Sequence, residues 1–156
     1  VEGVARARIV EFLENNDYFQ AVTELIDEQT GEKEEVDSAF NNWRNALASR
    51  DAEQIVELYD KDAILLATLS AKPILDQEGR KEYFSKLVVR KNLNAVVDEK
   101  HIKLLDDSNA VISGLYTFKF EDEGKEIAIP ARYSFVYEKE NGKWMIVEHH
   151  SSKVPQ

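Results

Sequence analysis

The stretch Asn109–Lys139, NAVISGLYTFKFEDEGKEIAIPARYSFVYEK, decides how this chain folds. Side chains along a strand alternate between its two faces. Over Asn109–Glu121 that alternation sets Ile112, Gly114, Tyr116 and Phe118 on one face and Ser113, Thr117 and Lys119 on the other. Over Lys125–Lys139 it sets Ile127, Ile129, Ala131, Tyr133 and Phe135 opposite Arg132, Ser134 and Glu138. The linker Glu121–Asp122–Glu123–Gly124 reads as a hairpin turn, so the two segments pair and their aromatic faces coincide. A concave inner wall of Tyr116, Phe118, Tyr133 and Phe135 is predicted.

Working outward, Asn94–Leu105 and Lys143–Val154 also read as strands, and Glu140–Asn141–Gly142 supplies the Asn-Gly signal of a tight hairpin. Upstream the periodicity turns helical. Val36, Phe40, Trp43 and Leu47 form one apolar stripe along Glu34–Ser49. Asp51 fits the N-cap of a short helix Ala52–Tyr59. Ala63–Leu69 reads as an apolar strand on which Thr68 shares a face with Ile64 and Leu66, and Gln77–Val88 as a helix with Tyr83, Phe84 and Leu87 inward. At the start, Val4–Leu25 has near-helical spacing with a break at Asn15–Asn16–Asp17, and Gln29–Thr30–Gly31–Glu32 reads as a loop. Helices first, then hairpin-linked strands, predict an α+β domain in which helices pack on one face of a bent antiparallel sheet.

Charge narrows the partners. Thirty acidic against 20 basic residues give a formal net charge of -10. That field repels a phosphate backbone, so no nucleic acid is expected as a partner. No apolar run approaches the ~20 residues of a membrane span, so no membrane is expected either. Cysteine is absent, which removes disulfides, thiolate nucleophiles and cysteine-ligated zinc together. Val1–Leu13 carries Glu2, Arg6, Arg8 and Glu11, unlike the core of a signal peptide. The chain begins at Val1 rather than Met, as a protein processed from a longer precursor would, and its compartment is left open.

The histidines are His101, His149 and His150. In Glu148–His149–His150–Ser151–Ser152, period two places His149 with Ser151 and His150 with Ser152. Neighbouring histidines on a strand project to opposite faces and chelate poorly. A three-ligand zinc centre is therefore not expected. A bulge could exchange the two faces, which leaves open which histidine points inward. On the residues alone, the tyrosines fit core packing with satisfied hydroxyls as well as they fit catalysis. Periodicity supplies a pocket, not a reaction.

The C-terminal run Asn141–Pro155, NGKWMIVEHHSSKVP, resembles the association domain of calcium/calmodulin-dependent kinases, which has the cone-shaped fold shared with nuclear transport factor and ketosteroid isomerase. Within that superfamily, His-His-Ser-Ser followed two residues later by Pro is similar to the signature of the iota-class carbonic anhydrases. A second matching block is Leu65–Leu66–Ala67–Thr68–Leu69–Ser70 with Glu82–Tyr83–Phe84 beyond it. The resemblance covers roughly Glu34 to Pro155. It implies a cone-fold catalytic domain over 33–156, with 1–32 as an N-terminal helical extension.

What the resemblance implies for chemistry is reversible hydration of CO2 to bicarbonate without a metal or other cofactor. Thr68, Tyr83, His149 and Ser151 would be the catalytic residues. The three hydroxyls would orient a water and His149 would accept its proton. Tyr116, Phe118, Tyr133 and Phe135 would line the substrate pocket. Kinase association domains place basic residues in theirs; this chain has Tyr116, Phe135 and Ser151 at the corresponding positions, which suits a small apolar substrate. A homodimer is expected. Two rival readings stand beside this: a non-catalytic association module, and an isomerase or small-molecule cyclase of the same fold. The isomerase needs a buried carboxylate, whereas Asp98, Glu121 and Glu138 fall on polar faces and turns.

Overall fold

A computed structural model describes residues 18–156; the expected helix over Val4–Leu25 and its break at Asn15–Asp17 lie, up to Asp17, outside the described residues. Three helices, α1 (Tyr18–Ser49), α2 (Ala52–Val56) and α3 (Gln77–Leu87), accompany five strands: β1 (Tyr59–Leu66), β2 (Lys91–Leu104), β3 (Asn109–Asp122), β4 (Lys125–Glu140) and β5 (Lys143–Lys153). The strands form one curved sheet in the order β1-β5-β4-β3-β2. Pairing is antiparallel from β2 to β5, as expected from the hairpins, but β1 joins β5 in parallel. The sheet is therefore mixed. Because α3 and three further strands separate β1 from β5 in sequence, no tight turn fixes their direction.

Local chemistry explains most boundaries. The β3–β4 and β4–β5 turns carry positive φ at Glu123, Gly124, Asn141 and Gly142, the left-handed pairs of two-residue hairpins. Asp51 caps α2, its carboxylate accepting from the Glu53 and Gln54 amides. That helix stops at Val56, short of the predicted Tyr59, and Tyr59 opens β1 instead. The loop expected at Gln29–Glu32 is corrected too, because α1 runs through it without interruption. A single Gly31 costs a helix only about 1 kcal/mol, and the Glu, Gln and Lys residues around it are good helix formers. No helix among the described residues is long and apolar enough to cross a membrane.

The core lies between α1 and the concave face of the sheet. Val36, Phe40, Trp43 and Leu47 are all buried, as the apolar stripe predicts. Phe40 stacks on Tyr133 and meets Phe135 edge-on, with ring centroids 5.1 and 5.3 Å apart. Buried Arg80 on α3 holds β1 in place by donating to the carbonyls of Ala63, Asp60 and Lys61 at 2.6, 2.9 and 2.9 Å.

Two of the sheet's four register irregularities bear on the site. In β2, Val97 pairs with Tyr116 and Glu99 with Leu115, so Asp98 is an extra residue. In β5, Ile146 pairs with Tyr137 and Glu148 with Val136, so Val147 is another. Such bulges bend a strand and shift its side-chain parity. Beside the first, Gly114 allows strands to approach closely: a Cβ there would lie 2.0 Å from the Glu99 carbonyl oxygen. Gly114→Ala should therefore destabilise the protein by about 1–3 kcal/mol, the usual range for overpacking. Urea unfolding measures it, and an unchanged midpoint would remove the close approach from the account.

Candidate active site

Six polar side chains from α1, β1, β3, β5 and the turn after β1 meet inside the cone. Trp43 Nε1 donates to the Tyr59 hydroxyl at 3.0 Å. That hydroxyl lies 2.8 Å from His149 Nδ1. On the other side of the imidazole, Nε2 lies 3.3 Å from the Tyr116 hydroxyl. Tyr116 donates to Ser151 Oγ at 2.7 Å, and Thr68 Oγ1 donates to the same oxygen at 2.6 Å.

The Val147 bulge makes this possible. It carries Trp144 and Ile146 inward before it and His149 and Ser151 inward after it, leaving His150 exposed. The open choice between the two histidines thus resolves to His149. Phe135 stacks on its ring at 3.8 Å between centroids, and Trp43 meets it edge-on at 5.3 Å.

Burial in this aromatic nest, with a small contribution from His150, depresses the His149 pKa from 6.5 to about 3. The imidazole is neutral at ordinary pH. Burial likewise pushes the phenols of Tyr59, Tyr116 and Tyr83 upward, so all three keep their protons. Neutral donors and acceptors fill the site, and carboxylates do not line it. Among the described residues no group of three or more His, Cys, Asp or Glu side chains is placed to hold a metal ion.

The cluster borders one of two adjacent spaces that share Thr68, Tyr83, Leu87 and Phe118 as walls. An inner niche of about 10 Å³ is bounded by Thr68, Tyr83, Tyr116, His149 and Ser151 together with apolar side chains. That is about the space of one water molecule. Thr68, Tyr83, Leu87 and Phe118 also bound an outer vestibule of about 80 Å³, with Leu69, Leu93, Phe120, Ile129 and Arg90. Sites for drug-sized ligands run to several hundred Å³. This one admits a few atoms.

All four residues expected to be catalytic, Thr68, Tyr83, His149 and Ser151, border the niche. Thr68 arrives by a different route from the one predicted. The strand ends at Leu66, its inward side chains are Ala63 and Leu65, and Ile64 is exposed; Thr68 stands in the turn beyond. The expected lining divides. Tyr116 and Phe118 border the cavity, but Tyr133 and Phe135 do not, because Phe40 and Trp43 fill the space in front of them. The Tyr133 hydroxyl is committed to the Glu99 carbonyl at 2.9 Å. Sequence reasoning missed Trp43 and Tyr59 as polar members and took Tyr116 for an apolar wall. The available signal was that buried Tyr and Trp need partners for their O–H and N–H.

Residues 32–155 match the family profile described as the calcium/calmodulin dependent protein kinase II association domain. A protein from Xanthomonas campestris described as such an association domain is 39% identical, with a TM-score of 0.75 over 78% of this chain and 87% of its own. The hub homology domain of the Chlamydomonas reinhardtii kinase is 21% identical, with a TM-score of 0.68 over 78% and 97%. A protein from Novosphingobium aromaticivorans described as a scytalone dehydratase shares the fold at 10% identity, with a TM-score of 0.74 over 83% and 89%. No curated protein sequence matches the chain.

The buried imidazole has a thermodynamic signature. Between about pH 3 and 6.5 the unfolded chain binds a proton that folded His149 refuses. Stability from this group is therefore complete above about 6.5 and falls as pH drops through that window. The urea midpoint should rise from pH 5 to 6.5, and His149→Gln should abolish most of that rise. An imidazole NMR titration of the wild type should show His149 unprotonated at pH 5.

Proposed function

The chain belongs to the calcium/calmodulin dependent protein kinase II association domain family, and from that premise we propose that its buried site hydrates CO2 to bicarbonate without a metal, as some iota-class carbonic anhydrases do. The observation that carries the reading is a one-water niche, edged by four hydroxyls, that shares a wall with a largely apolar vestibule too small for a ring-sized substrate. CO2 is small and apolar enough to enter that vestibule, and water fits the niche. Residues 33–156 would be the catalytic unit and 1–32 its N-terminal extension.

Hydration needs a water oxygen to attack carbon while a proton leaves it. His149, expected to accept that proton, is a poor acceptor at neutral pH once its pKa is about 3. A hydroxyl relay serves better. Thr68 donates to Ser151, so the lone pairs of its own oxygen are open to a water O–H. As the C–O bond forms, water passes a proton to Thr68, Thr68 to Ser151, and Ser151 to an oxygen of CO2. One water O–H bond breaks, one C–O π bond opens and one new O–H bond forms. Carbonic acid leaves and ionises outside. Tyr83 is a further donor at the rim, its oxygen held by the Leu69 amide and its proton retained. Preorganised donors and acid–base relays are worth about 10²–10³-fold and 10²–10⁴-fold respectively.

The isomerase reading loses support because the site has neither the carboxylate nor the volume. The association reading is favoured by the family's own description and by Val96 and Leu115, apolar and partly exposed on neighbouring strands β2 and β3. It predicts a homo-oligomer without hydration activity, which light scattering and a rate assay separate; a catalytic homodimer satisfies both.

Protein stripped with a strong chelator and checked by metal mass spectrometry should hydrate CO2. Activity lost on stripping and restored by zinc would overturn the metal-free mechanism. Thr68→Ala and Tyr83→Phe should each lower kcat about 10²-fold, while Thr68→Ser keeps most of it. Wild-type rates in both would take these hydroxyls out of the reaction.

A further inference from the structure

We infer that Trp43 and Tyr59 are positioning residues: they give the buried hydrogen-bond chain a single direction, Trp43 to Tyr59 to His149 to Tyr116 to Ser151, which leaves the Ser151 hydroxyl hydrogen as a donor into the niche. The argument is a count of protons. An indole N–H donates and cannot accept. Trp43 therefore fixes the Tyr59 oxygen as its acceptor at 3.0 Å, and Tyr59 turns its own hydrogen to His149 Nδ1 at 2.8 Å. A neutral imidazole with an accepting Nδ1 carries its hydrogen on Nε2.

The other end of the chain agrees. Tyr116 spends its hydrogen on Ser151, so toward Nε2, 3.3 Å away, it can offer a lone pair and not a proton. Were the hydrogen on Nδ1, the Tyr59 oxygen would face two donors and Nε2 would face no hydrogen at all. Both lone-pair positions of Ser151 are then filled, by Tyr116 and by Thr68. Its remaining capacity is its own O–H. Bonds aligned head to tail polarise one another, so a donor at the end of such a chain is stronger than an isolated serine.

The role in catalysis rests on the hydration reading, but the direction of the chain does not, and the test separates them. ¹⁵N NMR of a His101→Gln/His150→Gln protein observes the His149 ring alone. The expected spectrum shows a neutral imidazole with its hydrogen on Nε2 from pH 5 to 9. A hydrogen on Nδ1, or an imidazolium anywhere in that range, overturns the inference. Tyr59→Phe should release the tautomer into a mixture and lower the hydration kcat about 10- to 100-fold with KM little changed, the scale of losing an orienting hydrogen bond behind a reacting group. Trp43→Phe should cost little more once Tyr59 is Phe. Unchanged tautomer and unchanged kcat in Tyr59→Phe would overturn the positioning role. An Nε2–H imidazole in a protein that hydrates no CO2 sustains the direction and removes the reaction instead.

Discussion

An imidazole sealed among aromatic rings must stay neutral and must find a partner for each nitrogen, since an unpaired polar group in such a place costs about 1–3 kcal/mol. One partner has to give a hydrogen and the other has to take one. His149 meets that demand with two tyrosines from different strands, Tyr59 on β1 and Tyr116 on β3, while Phe135 of β4 covers its face and Trp43 of α1 closes the edge. One side chain on β5 thereby ties together four other elements. The register of α1 against the sheet follows from it, because the indole must reach Tyr59. The same condition that keeps the imidazole uncharged makes it a weak proton acceptor at neutral pH.

Sheet irregularity is what brings the groups to one place. A regular β5 with Trp144 and Ile146 inward would have kept His150 and Ser152 on that side and turned His149 and Ser151 to solvent. One added residue, Val147, reverses the parity between the structural half of the strand and its chemical half. Asp98 and Gly114 act on the far side of the sheet, where the bulge bends β2 and the missing side chain lets Glu99 close over Tyr133.

Alternation alone made the hairpin strands, the inward aromatic face and the stripe of α1 legible, because a half-buried strand or helix writes its period into the sequence. Two kinds of feature were not. Parity across an irregularity is invisible to a period-two count, which is why sequence leaves His149 and His150 interchangeable, and the end of an apolar run does not mark where a strand stops, which is why Thr68 reads as strand. Long-range polar pairing is also invisible, because nothing near Trp43 or Tyr59 in sequence hints at a histidine some hundred positions away. The uninterrupted helix through Gly31 is a third case, in which neighbouring residues outweigh one unfavourable one. Of the site, the four expected residues came from resemblance and converge on the niche; the chain behind them needed coordinates.

The parallel pairing of β1 with β5 sets an order of events during synthesis. Thr68 and Ser151 are 83 positions apart, and β1 stands at the sheet edge with β5 as its neighbour. A chain emerging N-terminus first holds the β5-facing edge of β1 unpaired until β5 leaves the ribosome, with only the Leu65–Ile74 bridge on its other edge. Until then its open backbone is a site for misdirected strand addition. The niche is therefore completed only when β5 brings His149 and Ser151 to the walls that Thr68, Tyr83 and Tyr116 supply.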